Sequence, residues 1–202
     1  MGAFSDTDSL GVWSPPSPEE AQRLLSVVNV RGGLPAVGRL ISSPAARRAL
    51  IRTSIFRFFG GTNSKYRRHL AGWECYAARG GPFLPWRRGE SLASDVNSVS
   101  CRPAPDRPWA LELLLADAFD GRWIFRRNRG ITLPLEEIGA QTADGLPYLR
   151  AEIQLLFKAK ESRPKDFADF DSTLSLLSPS ARTWLRDSLS IAHPNHPWIV
   201  RL

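Results

Sequence analysis

Pro108-Trp-Ala-Leu-Glu-Leu-Leu-Leu115 is the stretch that decides the fold. Successive side chains of an extended strand point to opposite faces, so both faces of this stretch are apolar except at Glu112. An ionised carboxylate that is buried without a partner costs several kcal/mol, so Glu112 must meet water, a cation or a metal, or stay protonated. The stretch therefore predicts a core strand with one carboxylate. That carboxylate is either paired with an arginine or serves as a metal or catalytic group.

Length and composition favour one intracellular domain. The 202 residues are 43% hydrophobic, enough for one full core, which we expect to be divided into two lobes at most. No apolar run approaches the length of a membrane helix, and the acidic, Ser-rich start lacks the features of a signal peptide. We therefore expect a cytoplasmic protein in which Cys75 and Cys101 are free thiols. No Cys/His cluster has zinc spacing.

The positive charge is confined to one segment. The net charge is +7, yet residues 21–73 contain ten Lys or Arg and no Asp or Glu. The other 17 of the 27 basic residues lie outside this segment, together with all 20 acidic residues. The net charge of that part of the chain is therefore −3. The basicity therefore needs a local explanation, and it does not by itself make the protein a nucleic-acid binder.

The order of patterns predicts an α+β fold with antiparallel strands first and helices last. Residues 1–16 read as a flexible leader, 17–146 as a sheet domain and 147–202 as a C-terminal helical lobe. The expected elements are helices near 18–28, 66–73, 150–160, after Pro164 and after Ser178, and strands at 74–78, 96–102, 109–115 and 123–125. Residues 126–147 read as a linker, and 30–65 fit neither the helical nor the strand period.

Residues 69–199 resemble a bacterial group of nucleotidyltransferase-fold proteins related to aminoglycoside 2″-adenylyltransferases. The resemblance rests on motifs in a fixed order: His69-Leu-Ala-Gly-Trp73, the 108–115 stretch, Asp120-Gly-Arg-Trp-Ile-Phe125, Gly145-Leu-Pro-Tyr-Leu149, Glu152-Ile-Gln-Leu-Leu-Phe-Lys158, Arg163-Pro-Lys-Asp166, Ala168-Asp-Phe170 and His193-Pro-Asn-His-Pro-Trp198. It implies a mixed sheet flanked by helices that transfers AMP from ATP to a hydroxyl of a small molecule, aminoglycosides being one class of acceptor. It also implies Mg²⁺ held by three carboxylates, the third at the position of Glu112.

The other two carboxylates are absent from the chain as written. Members of the group carry Gly-Gly-Trp and Asp-x-Asp in the N-terminal third, whereas residues 30–65 contain neither. If the last base of each codon from Gly33 to Thr62 is read with the next two bases, the genetic code permits I-A-G-G-W-A and, later, S-D-I-D-I with the family's spacing. We therefore interpret 30–65 as a non-native segment between two compensating frame changes, near 29–32 and near 63–66. As written, the protein is expected to be an inactive nucleotidyltransferase.

A different class of function remains open for the basic segment. Residues 31–68 interleave Arg with Phe56, Phe58, Phe59 and Tyr66, a mixture suited to phosphate contacts and base stacking. This pattern would make the protein a non-catalytic nucleic-acid-binding protein. No regular helical or strand period presents these residues together, so the frame interpretation is favoured.

Two further sets of residues are candidates for the site. Lys158 and Lys165 match the helical-lobe motif, so the resemblance implies contacts with the triphosphate of ATP; the alternative is ion pairing with Asp166 and Asp169. His193 and His196 have the residue type of metal ligands. Two histidines beside prolines after a helix are more often capping groups.

The frame interpretation makes a direct prediction about the gene. Sequencing the coding DNA from Val28 to Arg68 should show that the shifted reading encodes Gly-Gly-Trp followed by Asp-Ile-Asp. Codon choice at each position is degenerate, so the protein sequence permits these peptides without requiring them. A shifted reading without the Asp-Ile-Asp codons would refute the interpretation and return attention to the basic segment.

Overall fold

The computed structural model describes residues 14, 17, 20, 54–58, 63–79, 83–141, 147–161 and 163–202. Its largest sheet has the strand order β1-β5-β4-β2-β3. These strands are β1 (Ser54–Phe58), β2 (Glu74–Ala78), β3 (Phe83–Pro85), β4 (Ser98–Arg102) and β5 (Leu111–Leu115). β1 runs parallel to β5, and the other neighbours are antiparallel.

The predicted core strand lies inside this sheet. β5 pairs with β1 on one edge and with β4 on the other, so it is an interior strand of the sheet. Leu111, Leu113 and Leu115 are buried on one face. Residue 109, expected to extend the strand on the same face as these leucines, instead packs against Tyr76 and Arg102 on the other face. The strand begins at Leu111, so the alternation does not reach back to Trp109.

One face of the sheet forms the first hydrophobic core. Helix α1 (Asn63–His69) precedes β2, and Tyr66 and Leu70 at its end are buried against the sheet. Cys75 and Cys101 are buried in the same core as free thiols, as predicted. This core therefore includes the end of a helix that lies within the basic segment.

Short strands connect this sheet to the helices. A second sheet has the order β6-β7-β8, and a third contains β9 and β10. These strands are β6 (Asp117–Phe119), β7 (Arg122–Ile124), β8 (Thr132–Pro134), β9 (Gly139–Gln141) and β10 (Pro147–Leu149). Asp120 and Gly121 both have positive φ, 47° and 69°, so Asp-Gly makes the expected hairpin turn. The prediction of a linker over 126–147 was wrong, because three short strands cross it.

The C-terminal lobe contains the three helices that the sequence predicts. They are α2 (Ala151–Lys158), α3 (Pro164–Leu174) and α4 (Pro179–Ala192). The Ser178 side chain accepts a hydrogen bond from the Ala181 backbone N–H, so it caps α4 as expected. Trp198 is fully buried and stacks on Phe170 with ring centroids 4.5 Å apart. The lobe and the short strands share a second core.

Arg126 ties the two cores together. Its guanidinium donates to Asp117 Oδ1 at 2.7 Å, to the Val96 carbonyl at 2.9 Å and to Asn97 Oδ1 at 2.9 Å. Asp117 begins the strand after β5, and Asn97 precedes β4. One partly buried cation therefore joins the hairpin that leaves the main sheet to the loop that enters it.

The architecture is mixed α and β, with largely antiparallel sheets followed by helices, as the sequence predicted. Of the expected helix over 18–28, only Glu20 is described: it is helical, and its backbone N–H donates to Ser17 Oγ at 3.2 Å. Most of the segment 30–65 lies outside the described residues, but Ser54–Phe58 forms the regular strand β1, so the expectation that this segment has no strand was wrong there. Within the described part of the chain, every helix is too short or too polar to cross a membrane.

The helical lobe should be sensitive to truncation of its core. Leu185 lies on α4 and is fully buried, so Leu185→Ala should lower the free energy of unfolding by about 2–5 kcal/mol. Ile191 on the same helix is 56% exposed, and Ile191→Ala should cost well under about 1 kcal/mol. Urea unfolding followed by tryptophan fluorescence measures both. Equal losses for the two variants would contradict this packing.

Candidate functional site

Glu112 lies at the centre of the main sheet, on the face opposite the three leucines of β5. It is in register with Ser100 on β4 and with residue 55 on β1. Its side chain is only 6% exposed, and it takes part in no ion pair among the described residues. The expected pairing of Glu112 with an arginine is therefore not formed in this part of the chain.

Burial dominates the acidity of Glu112. Removal from water disfavours the charged form and raises the pKa of this carboxyl to about 7. The Ser98 hydroxyl lowers the pKa in the opposite direction, although its oxygen does not reach full hydrogen-bond geometry with any partner. About half of the Glu112 carboxyls therefore carry a proton at neutral pH, so a protonated carboxyl, one of the solutions that the sequence allowed, is accessible there.

Two serines of β4 complete a polar patch around this carboxyl. Ser98 and Ser100 are 1% and 0% exposed, and among the described residues neither hydroxyl oxygen has a hydrogen-bond partner of full geometry. Both residues share the face of Glu112, because Ser100 is its register partner and Ser98 is two residues away on the same strand. Buried polar groups without partners are rare in folded proteins. We call Glu112, Ser98 and Ser100 the carboxylate patch.

Aromatic and charged side chains border the carboxylate patch. Tyr76 on β2 is in register with Ser100, and its ring meets Trp109 edge-on at 5.7 Å. The Arg102 guanidinium lies over Trp109 at 4.7 Å and pairs with Glu74 at 2.7 Å. The patch is therefore a polar island next to an aromatic pair on one face of the sheet.

The pairing of β1 with β5 bears on the missing carboxylates. The two Asp codons that a shifted reading permits would take two bases each from the codons of Thr53 and Ile55. Position 55 is in register with Glu112, so it shares that face of the sheet. An acidic residue at this position would stand beside Glu112. No side chain at this place in the present chain is acidic.

The two lysines do not join Glu112. Lys158, at the end of α2, pairs with Asp169 and lies 3.5 Å from Asp166. Asp166 is 1% exposed and also accepts hydrogen bonds from the Arg163 backbone and guanidinium. Lys165 is exposed on α3. The helical-lobe motif thus forms a local network that fixes α2 against the start of α3.

The two histidines close the C-terminal segment. His196 Nδ1 accepts a hydrogen bond from the Trp198 backbone N–H at 3.2 Å. Burial and the nearby His193 lower the pKa of His196, and a hydrogen bond to the backbone of Ala159 opposes this shift. Burial, together with the charge of Arg127, also lowers the pKa of His193. The His193 backbone N–H donates to the Leu189 carbonyl at the end of α4, and the His196 side chain binds a backbone N–H, which matches the capping interpretation.

A magnesium site does not fit the residues that are placed here. Magnesium takes oxygen ligands and usually one or two carboxylates together with substrate phosphates. In the part of the chain that the structure describes, no three His, Cys, Asp or Glu side chains are arranged to hold a metal. Glu112 with two serines supplies one carboxylate, so the described residues do not include the ligand set that the resemblance implies.

Sequence reasoning missed the two serines and Tyr76. The strand at 96–102 was predicted, but nothing in Ser-Val-Ser indicates that its hydroxyls are buried. Their position follows from the register of β4 against β5. The one available signal was the alternation of polar and apolar residues along this strand, which places Ser98 and Ser100 on one face.

Comparisons of the chain with protein-family models, with curated proteins and with solved structures found no match.

Stability should depend on the ionisation of Glu112. The folded pKa of about 7 lies above the ordinary value of 4.5 for a glutamate, so the unfolded chain releases this proton at a lower pH than the folded protein does. Stability should therefore fall between about pH 4.5 and pH 7 and level off above pH 7, with a loss of up to about 3 kcal/mol. Glu112→Gln should remove this loss and be the more stable protein at pH 8.

Urea unfolding at pH 5 and pH 8 measures this dependence. Glu137 is exposed, so Glu137→Gln is the matched control and should keep the pH dependence of the parent chain. If the free energy of unfolding depends on pH in the same way in Glu112→Gln as in the parent chain, Glu112 is not the buried acid.

Proposed function

We propose that this chain derives from a nucleotidyltransferase that transfers AMP from ATP to a hydroxyl of a small molecule, and that it is inactive as written. The observation that carries the proposal is the isolated carboxylate patch: a buried Glu112, 6% exposed, next to a strand that pairs with it in parallel. The carboxylate costs stability and forms no ion pair in the described residues. Such a residue is better explained by a site than by the core.

The frame interpretation supplies what the patch lacks. The shifted reading permits two aspartates whose codons overlap positions 53 and 55, and position 55 is the register partner of Glu112. The family's reaction needs these carboxylates together. The resemblance of residues 69–199 and the register of β1 against β5 support the same arrangement independently.

The helical lobe supports this proposal less directly. Lys158 is held by Asp166 and Asp169, so any contact of Lys158 with a triphosphate would have to compete with two carboxylates. Lys165 is exposed and free of such pairs in the described contacts. Of the two proposed ATP contacts, Lys165 is therefore the one that needs no rearrangement.

The nucleic-acid alternative receives little support from Arg67, a described arginine of the basic segment. Arg67 donates to the carbonyl groups of Trp86 at 2.8 Å and of Leu70 at 3.0 Å. Its guanidinium thus serves the first core. Binding of DNA or RNA that weakens steeply with salt, and disappears when Arg47, Arg48, Arg52 and Arg57 are neutralised, would nevertheless restore this alternative.

An assay of adenylyl transfer distinguishes this proposal from the nucleic-acid alternative. Labelled ATP, magnesium and a panel of hydroxyl compounds that includes aminoglycosides should give no turnover with the chain as written. A synthetic gene in which 33–61 are replaced by the shifted reading should give turnover. Glu112→Gln in that corrected chain should lower turnover by about a hundredfold or more.

Glu137→Gln in the corrected chain is the control for the loss of a carboxylate and should leave turnover unchanged. The proposal fails if the corrected chain folds and transfers nothing to any acceptor in the panel. The proposal that the chain as written is inactive fails if this chain turns ATP over and Glu112→Ala abolishes that activity.

A further inference from the structure

The two cysteines of the chain face each other across neighbouring strands. Cys75 on β2 and Cys101 on β4 are direct register partners. Both thiols are free and buried in the first core, on the face of the sheet opposite Glu112. Since register partners share a face, the two sulfur atoms point into the same part of the core.

The backbone geometry brings this pair unusually close. The Cys75 carbonyl accepts from the Trp86 N–H at 2.7 Å, and the Cys101 carbonyl accepts from the Ala110 N–H at 3.0 Å. Both carbonyls thus point away from the other cysteine, so the pair belongs to the non-hydrogen-bonded class, in which Cα atoms lie about 4.5 Å apart. A disulfide bond needs a Cα separation of roughly 4.4–6.8 Å, so no strand has to move for the bond to form.

We propose that Cys75 and Cys101 form a reversible disulfide that locks β2 to β4. The register of β2 against β4 sets the separation of the two thiols. Their proximity is therefore a property of the fold. The modification takes place on the back of the strand that carries Ser98 and Ser100. It is independent of any nucleotidyl transfer.

The two thiols play different roles in the reaction. A hydrogen bond from Cys101 and the charge of Arg67 lower the pKa of Cys75, whereas burial raises that of Cys101. Cys75 is therefore the attacking thiolate and Cys101 the resolving thiol. Outer strand β3 is only three residues long, and Leu84 in it is 48% exposed. Opening of this strand admits the oxidant.

The oxidant is a low-molecular-weight disulfide such as oxidised glutathione. The Cys75 thiolate attacks one sulfur of that disulfide, forms a mixed disulfide and expels one glutathione thiolate. The Cys101 thiolate then attacks the Cys75 sulfur, forms the internal bond and expels the second glutathione thiolate. The two protons lost by the protein thiols end on the two glutathione thiols, so one disulfide is reduced as one is formed.

Equilibration of the full chain in glutathione redox buffers tests the proposal. The fraction of internal disulfide, measured by thiol trapping and mass spectrometry, gives the effective concentration of one thiol at the other. This value should be about tenfold or more higher in native buffer than in concentrated guanidinium chloride, where only the chain length brings the thiols together. The peptides that contain Cys75 and Cys101 should be linked until a reductant is added.

Cys75→Ser and Cys101→Ser are the matched controls, and neither should lose the mass of two hydrogen atoms. An effective concentration that is no higher in native buffer than in denaturant overturns the proposal. Disulfides that link two chains in place of the internal bond also overturn it.

Discussion

The desolvation of one carboxyl group governs the main sheet. β5 is the second of five strands and is apolar on both faces except at Glu112, so the fold must bury a titratable group in order to bury the strand. Burial moves the pKa of this group to about 7. The sheet tolerates the carboxyl by keeping it near neutrality and by surrounding it with the hydroxyls of β4. A protein without a use for this residue would be more stable with an apolar one.

The rest of the molecule supports this sheet from two directions. Helix α1 and the leucines of β5 fill its opposite face, while Arg126 connects the loop before β4 to the hairpin after β5. The helical lobe has its own core around Trp198 and Phe170 and its own ion pairs around Asp166. Glu112 thus lies in the main sheet, which includes the N-terminal strand β1. The helical lobe packs around a separate core.

Sequence patterns predicted the elements better than they predicted their relations. The helices after Pro164 and Ser178 could be placed because proline, an N-cap residue and a 3.6-residue apolar stripe agree there. The short strands β8, β9 and β10, at 132–134, 139–141 and 147–149, were missed because strands of three residues show no period. The site shows the same contrast. An acid on an apolar strand identified Glu112, but the partnership with Ser98 and Ser100 depends on the register of β4, which the local sequence does not encode.

We propose that Glu112 is the surviving member of a set of carboxylates that a change of reading frame has broken up. Manganese binding, followed by the relaxation of water protons, tests this claim without any knowledge of the acceptor. The chain with the shifted reading restored over 33–61 should bind Mn²⁺ and should lose that binding on Glu112→Gln, while the chain as written should not bind it. A corrected chain that folds and binds no Mn²⁺, or that binds it equally well without Glu112, would contradict the account.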